Sequence, residues 1–513
     1  MNNKTYKFIA CCICAMIIVS CDEDLPRYAQ FSAYEYSSLD EDGGTWVPIL
    51  LESASEIDIP EPEDVNSTAY QTELAAVRTA TSSLTSRQKE LVDYWTNNPI
   101  IRWSEIAQEL ITKYNLIPGP NDDGTYTLPN PASPQGPPPF PFAHPAYGCR
   151  ALAYLTVAQF DGLISAWYHK YEYERPAPYV VDSSIPSVYG ESSLPSYPSD
   201  GAVIAASAKD ILSALFPLEK DYIAQRAEEH MQSLIWSGAN VQSDIVAGEI
   251  IGKAVAARAL QRAAGDRMNK SQTPKPVSDS IKNSAIERFG WYWENIEIPP
   301  RPVGLAPLFG KVQTWNVPDV ALVRPGPPPA PGSAEFIEAA NELKNHQKNM
   351  TEEKRKIANW WSDGLGTYTP PGHWNRLAND IVIEAKLNPL RSARALAYMN
   401  MAIMDAGIAC WDAKYYYHYP RPIQTIPGFK TILGTPNFPS YTSGHSTFSA
   451  AAAAVLGHLF PAKKAQCESW ALEAAESRIY GGIHYRFDSE AGLEQGKAVA
   501  EYTIEKAKQD GAE

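Results

Sequence analysis

Arg150-Ala151-Leu152-Ala153-Tyr154 returns 244 positions later as Arg394-Ala395-Leu396-Ala397-Tyr398. The same step carries Asp161 to Asp405, Trp167 to Trp411, Lys170 to Lys414, and Pro195-Ser196-Tyr197 to Pro439-Ser440-Tyr441. It also carries Phe216-Pro217 to Phe460-Pro461, Asp244 to Asp488, and Gly252-Lys253-Ala254-Val255-Ala256 to Gly496-Lys497-Ala498-Val499-Ala500. A constant, gapless offset of this length exceeds any solenoid period, so the chain contains a duplicated domain. Upstream the match is looser: Tyr94-Trp95 resembles Trp360-Trp361, and Trp103 resembles Trp374.

Both copies read as helical. Within 392–414, Ala395, Tyr398, Met399, Ala402, Met404 and Ile408 recur at helical spacing, and 447–460 is Ala-rich and apolar nearly all round, as a buried central helix is. Residues 86–114, 201–216 and 240–264 follow suit. Pro-rich stretches occupy 117–146 and 295–332, and the second is the natural seam between copies. The expected fold is all-α, two tandem helical bundles with long Pro-rich loops and almost no sheet. Its boundaries are 1–20 leader, 21–85 linker and loops, 86–294 first bundle, 295–332 connecting segment and 333–513 second bundle.

Composition agrees with a globular chain of about two or three domains. Of 513 residues, 44% are hydrophobic and 20% charged, with 42 prolines, 13 tryptophans and 28 tyrosines. The formal charge of −15 argues against nucleic acid and anionic lipid as partners. Any anionic ligand needs a local cluster of positive side chains. Lys4 and Lys7 precede an apolar run, 8–19, that is too short for a permanent membrane helix and reads as a secretory signal. The four residues ending in Cys21 resemble a bacterial lipobox, which implies lipid anchoring at Cys21. Asp22-Glu23-Asp24 resembles the start of outer-membrane lipoproteins. Removal of 1–20 takes two lysines and no acid, so the charge becomes −15 − 2 = −17. Beyond the leader and Cys21 remain Cys149, Cys410 and Cys467, an odd set without metal-ligand spacing or a readable disulfide framework.

Three segments of the second copy carry chemistry. Lys414 is followed by Arg421-Pro422; next comes the run Pro439-Ser440-Tyr441-Thr442-Ser443-Gly444-His445; last are Ser477-Arg478, His484 and Asp488. Between His445 and Ser477 there is room for one long helix and a turn. One Lys and two Arg supply charge-assisted hydrogen bonds for a tetrahedral oxyanion. Ser443 and Gly444 precede the Ala-rich helix, so a hydroxyl and backbone N–H groups also face the anion. Two histidines with separate roles suit displacement at phosphorus, one as nucleophile and one as general acid. Asp488, one helical turn past His484, is placed to fix an imidazole tautomer.

These segments, 414–488, resemble the signature shared by type 2 phosphatidic acid phosphatases, bacterial acid phosphatases and vanadium-dependent haloperoxidases. The resemblance implies that Lys414, Arg421, Ser443, Gly444 and Arg478 bind the oxyanion and that His445 is the acid–base residue. His484 is then the phosphorylated nucleophile of a phosphatase or the axial vanadate ligand of a haloperoxidase. Trp411 and Phe438 resemble the pocket-lining pair of chloroperoxidase-type enzymes, although Trp411 has a duplicate, Trp167, that points to a core role. The two-bundle length also favours the haloperoxidase branch, with vanadate as cofactor and peroxide plus halide as substrates. The alternative is a phosphomonoesterase without a cofactor, working through phosphohistidine on soluble or lipid phosphate esters. A third class, an anion-binding surface lipoprotein without turnover, is disfavoured by the completeness of the set. The acidic partner expected for Arg478 has two candidates, Asp405 and Asp380.

The first copy is an internal control. Arg421 becomes Ala177, Gly444 becomes Asp200, His445 becomes Gly201, Arg478 becomes Leu234 and His484 becomes Asn240, whereas Lys170 and Ser199 survive. The first bundle is therefore expected to be a scaffold without a site, burying one face of the second. The run Tyr415, Tyr416, Tyr417, His418, Tyr419 reads as a packing surface before an aromatic rim, and His458 as a hydrogen-bonded structural residue. Either Pro-rich stretch has the reach to cover the pocket, and as a plain interdomain spacer it would look the same.

Overall fold

The computed structural model describes residues 33–513 except 97, 188–191 and 299; the leader and Cys21 lie outside the described residues. Among those described the chain is helical, with no named strand. The first copy comprises α1 (Thr68–Thr81), α2 (Ser86–Thr96), α3 (Pro99–Tyr114), α4 (Pro145–Tyr173), α5 (Pro178–Val181), α6 (Asp200–Leu215), α7 (Lys220–Trp236) and α8 (Gln242–Gly265). After α9 (Lys275–Phe289) the second copy repeats them. Its helices are α10 (Ala334–Lys348), α11 (Glu352–Trp360), α12 (Thr369–Glu384), α13 (Pro389–Tyr417), α14 (Pro422–Thr425), α15 (Gly444–Leu459), α16 (Lys464–Tyr480) and α17 (Arg486–Ala507).

Local chemistry sets the helix ends twice over. Pro145 and Pro389 open α4 and α13 at the position where a missing N–H does no harm. Glu174 and His418 close them in the left-handed region, φ 47° and 50°, and turn the chain toward residues 177 and 421. Stretch 86–114 is two helices, because Pro99 starts a new one and Asn98 before it, φ 85°, cannot continue α2. Residues 446–476 hold the rest of α15, a short 3₁₀ turn and most of α16, rather than one helix.

The duplication reaches further upstream than the sequence match. Asp161, on α4, accepts the backbone N–H groups of Ile49, Leu50 and Leu51, and Asp405, on α13, accepts those of Trp315, Asn316 and Val317. These segments are related by 315 − 49 = 266, as are the N-caps Ser67 and Ser333 of α1 and α10. Residues before 86 thus include a helix and a docked segment as well as loops. The part of the Pro-rich seam after residue 305 is the opening of the second unit.

The repeated Gly-Lys-Ala motif has a packing reason. A Cβ on Gly496 would stand 2.3 Å from the Thr447 carbonyl oxygen, and one on Gly252 would stand 2.6 Å from that of Val203. Bare glycine lets α17 lie against α15, and α8 against α6, at backbone contact. The close approach brings the start of α17 to the start of α15, where Ser443 N–H donates to the Asp488 carbonyl at 2.9 Å; Ser199 and Asp244 make the same bond. The two copies share one hydrophobic core. Its centre is the pair α4 and α13, where Asn400 Nδ2 reaches Thr156 Oγ1, the residue 244 positions earlier, at 3.5 Å.

Candidate functional site

His484 lies in the turn between α16 and α17, just past Gly482, whose φ of 76° makes the reversal. Tyr485 N-caps α17, which places Asp488 in its first turn. Asp488 Oδ2 accepts from His484 Nδ1 at 2.9 Å, from Tyr485 N–H at 3.2 Å and from the Ser440 hydroxyl; its Oδ1 has no partner among the described residues. Burial pushes the Asp488 carboxyl up, against the pull of Ser440 and Lys414. With its Nδ1 proton held there, neutral His484 presents a lone pair at Nε2. Burial, then Arg421, Lys414 and Arg478, hold His484 well below the ordinary imidazole range.

Arg421 is fully buried. It donates Nε–H to Phe438 O at 3.1 Å and Nη1–H to Ile483 O at 2.8 Å and His484 Nε2 at 3.0 Å. Its Nη2 is buried without a partner among the described residues. Arg478 sits at the carbonyl end of α11, donating to Trp361 O and to Ala358 O at 3.2 Å, where the helix dipole favours a cation. Lys414 gives its ammonium to the carbonyls of Pro439, Ser440 and Thr442. Its counterpart Lys170 donates to Pro195 O, so the lysine braces this loop in both copies. Ser443 N-caps α15. A Cβ on Gly444 would meet nothing nearer than Phe448 and Trp411, both at 3.9 Å, so that position is open toward the cavity. An orphaned guanidinium donor and an open helix start fit a tetrahedral oxyanion, with His484 Nε2, which accepts from Arg421, beside them.

The acidic residue missing from the sequence reading is Asp363. Its Oδ2 lies 3.5 Å from His445 Nε2, and His373 Nδ1 lies 3.0 Å from Oδ1. Arg478 also feels its charge. The two histidines hold the Asp363 carboxyl below its usual range despite burial, and His373 is fixed by stacking on Trp361, ring centroids 4.3 Å apart. Neither expected candidate fills this role: Asp405 is spent on the backbone of 315–317, and Asp380 is exposed beside Arg376. The available signal was position. Asp363 follows Trp360-Trp361, and the matching residue of the first copy, 363 − 266 = 97, is Asn. Burial and Arg478 bring His445 down to about 4, against the pull of Asp363.

A cavity of about 330 Å³ opens above these groups, lined by Gly444, His445, Arg478 and His484 and by Trp411, Phe438 and Phe448. Trp411 and Phe438 pack at 4.9 Å between centroids. Trp411 also donates Nε1–H to Leu305 O, and Trp167 does the same to Leu39 O, so this tryptophan is both wall and core. Both Pro-rich stretches reach the pocket: Ile117, Phe142 and His144 come from the first copy, and Glu297, Arg301 and Leu305 from the seam. The tyrosine run is packing. The hydroxyls of Tyr415, Tyr417 and Tyr419 donate to the carbonyls of Leu305, Pro325 and Pro329, and His418 accepts from Trp293 N–H. His458 pairs with Glu513 at 2.8 Å. Cys149, Cys410 and Cys467 are free and buried.

The first copy retains a cavity of about 450 Å³ at the matching place, lined by Lys170, Asp200, Gly201 and Asn240. There Asp200 Oδ1 stands 3.1 Å from Lys170 Nζ. The chain's own carboxylate stands beside that lysine at the start of α6, a charge that opposes an oxyanion there.

Residues 394–508 match the model of the PAP2 superfamily. The vanadium chloroperoxidase of Curvularia inaequalis is 29% identical over 122 residues, which cover 18% of this chain and 20% of that one. The match therefore spans about a fifth of the curated relative. A bacterial vanadium-dependent iodoperoxidase structure superposes with a TM-score of 0.57 at 20% identity, covering 79% of this chain and 95% of that chain. A holo bacterial vanadium-dependent chloroperoxidase gives 0.50 at 13% identity, covering 77% and 99%. The fold is the all-α fold of the vanadium haloperoxidases, and the residues from Lys414 to Asp488 lie within the segment that matches the PAP2 superfamily, whereas Asp363 lies before it.

Proposed function

We propose that the chain is a haloperoxidase-like enzyme that holds vanadate in the pocket above His484 and oxidises halide with peroxide. The observation that carries this reading is the pocket itself: an oxyanion floor roofed by Trp411, Phe438 and elements of both copies. The superposition on a bacterial vanadium-dependent iodoperoxidase and a bacterial vanadium-dependent chloroperoxidase, over most of their length, supports it. Vanadate, when bound, supplies the Lewis acid that activates peroxide. The chain supplies the rest. His484 Nε2 would hold the anion, Asp488 would keep the His484 proton at Nδ1, and Arg421, Arg478, Ser443 and the Gly444 N–H would balance the charge. An anion beside His445 raises that imidazole again, so its acid form is available once the site is loaded. Asp363 then retains the imidazolium in place. Trp411, Phe438 and Phe448 set an apolar wall beside the floor.

The second reading rests on His484. A neutral imidazole with Nδ1–H fixed by a buried carboxylate is also the nucleophile that a phosphomonoesterase needs, with His445 protonating the leaving oxygen. This reading requires no cofactor. For location we propose export and lipid anchoring at Cys21, in the bacterial cell envelope and facing the periplasm or the exterior at the outer membrane.

The deciding experiment uses residues 22–513. Vanadate is titrated while hydrolysis of a chromogenic phosphate ester and peroxide-dependent bromide oxidation are followed in parallel. Halide oxidation switched on by tight vanadate binding supports the peroxidase. Phosphate release merely inhibited by vanadate, with no halide oxidation, overturns it in favour of the phosphatase.

A further inference from the structure

We infer that His373, on α12, is a positioning residue for the acid–base step: it aims the Asp363 carboxylate so that one oxygen waits for His445. The inference rests on His445 as the acid–base residue, which the peroxidase and phosphatase readings share. His373 Nδ1–H donates to the buried Asp363 carboxylate, 3.0 Å from Oδ1 and 3.2 Å from Oδ2. His445 Nε2 stands 3.5 Å from Oδ2 and makes no hydrogen bond among the described residues. The carboxylate is thus tied from one side and left toward His445 on the other. Other groups fix only the path of the chain. Asn115 of the first copy donates Nδ2–H to Gly364 O at 2.9 Å and Thr367 O at 3.1 Å, and Arg478 donates to the carbonyls of Trp361 and Ser362. These bonds hold the loop, with Asp363 in the left-handed region at φ 42°, and leave the side-chain torsion to His373.

The ring has no other polar task. Its Nε2 is buried without a partner among the described residues, and its face stacks on Trp361. A buried nitrogen left unpaired is a cost that an apolar ring of the same shape would avoid, so packing alone does not account for a histidine here. The Nδ1 bond does. The first copy is again a control. Trp361 and Trp374 are 13 positions apart (374 − 361 = 13), whereas Trp95 and Trp103 are 8 apart (103 − 95 = 8). The active copy therefore carries five more residues (13 − 8 = 5) in the stretch that holds Asp363 and His373. Where His373 precedes Trp374, Arg102 precedes Trp103 and pairs with Glu105 at 2.9 Å. The copy that has no counterpart of His445 also lacks the acid and the histidine that aims it.

The test uses residues 22–513. His373→Phe keeps a stacked ring and removes the donor, whereas His373→Asn gives up the ring and keeps an N–H near the place of Nδ1. On whichever reaction the wild type performs, His373→Phe is expected to lower kcat roughly tenfold or more with KM within about twofold, and His373→Asn to stay within about threefold of wild type. In an Asp363→Ala background His373→Phe is expected to cost less than about twofold, because no carboxylate is left to aim. The same loss in both backgrounds, or equal losses from Phe and Asn, overturns the inference, since either marks a merely structural role. A second readout needs neither turnover nor the Phe variant: nitrogen-15 histidine NMR of the chain saturated with inorganic phosphate. Low-field imidazole N–H signals are expected from His373 and His445 in the wild type, both lost in Asp363→Ala, with that of His445 retained in His373→Asn. A His373 signal that is missing from the wild type, or that survives Asp363→Ala, overturns the inference. Absence of both reactions in the wild type sinks the proposed function, and the spectrum then decides the role of His373 by itself.

Discussion

Replacing Asp488 by Asn tests what holds His484. In the native site one oxygen, Oδ2, takes all three hydrogen bonds, and Oδ1 takes none among the described residues. Asn is nearly isosteric. Its carbonyl oxygen can take the place of Oδ2 and keep His484, Ser440 and Tyr485. Its amide group then falls where Oδ1 was, with no donor to oppose it. The imidazole keeps its tautomer, and what is lost is the negative charge behind it. Outer partners of this kind are worth roughly 10–100-fold, about 1.4–2.7 kcal/mol of transition-state stabilisation. Asp488→Ala removes the acceptor from three buried donors, at about 1–3 kcal/mol each, and frees the ring to turn. The expected order is therefore wild type, then Asp488→Asn lower by one to two decades, then Asp488→Ala near background. The assay is kcat/KM on whichever of bromide oxidation or ester hydrolysis the wild type performs, with circular dichroism to confirm folding. A ten-thousandfold loss in Asp488→Asn would refute the reasoning, since it would mean that the amide cannot hold the ring. A loss below threefold would refute it from the other side, because His484 would then need no orienting group.

Three further outcomes are expected. His484→Ala abolishes turnover, whereas Asn240→Ala, at the matching place in the first copy, stays within about twofold because no anion seat exists there; comparable losses from both, in steady-state assays, would contradict the silent-copy reading. Residues 333–513 alone do not give a folded, active enzyme, since they lack the 306–323 segment that satisfies Asp405 and half of the shared core; a soluble fragment with full activity would show otherwise. Glu109→Gln stabilises the protein at high pH. Burial, then Glu105, push the Glu109 carboxyl up to about 8, and neither of its oxygens has a partner among the described residues. The folded state favours the protonated form, so stability is full below the usual carboxylate range and is lost as pH rises through about 8. After allowance for partial exposure the gain from Gln is about 1–2 kcal/mol at pH 9 and nothing at pH 4; denaturant midpoints at both values measure it.

The sequence was most legible where function is local in the chain. Arg478, His484 and Asp488 span one helix end and the next helix start, and Ser443-Gly444-His445 is a single helix opening. In each case spacing dictates geometry. Asp363 was out of reach because it joins His445 from a loop 82 residues away (445 − 363 = 82), brought in by the stacking of Trp361 on His373. The early part of each unit was hidden for a different reason. Ile49-Leu50-Leu51 and Trp315-Asn316-Val317 have no side chain in common, because the duplicated interaction uses their backbone N–H groups and only the acceptor, Asp161 or Asp405, is a side-chain requirement. Lys414 carried a double meaning that spacing cannot separate. Its position matches an anion ligand, while its twin shows that the same position braces a loop.

Thr156 and Asn400, equivalent positions of the two copies, touch each other. A contact between a position and its own counterpart is the mark of an isologous interface, the kind that joins the halves of a two-fold homodimer. Here the two halves are one polypeptide, so the association cannot be diluted and needs no subunit concentration to persist. Symmetry can then be broken without cost to assembly. One half can lack the histidines and arginines of the other, because it remains bound as the wall of the other half's chamber whatever its own chamber holds.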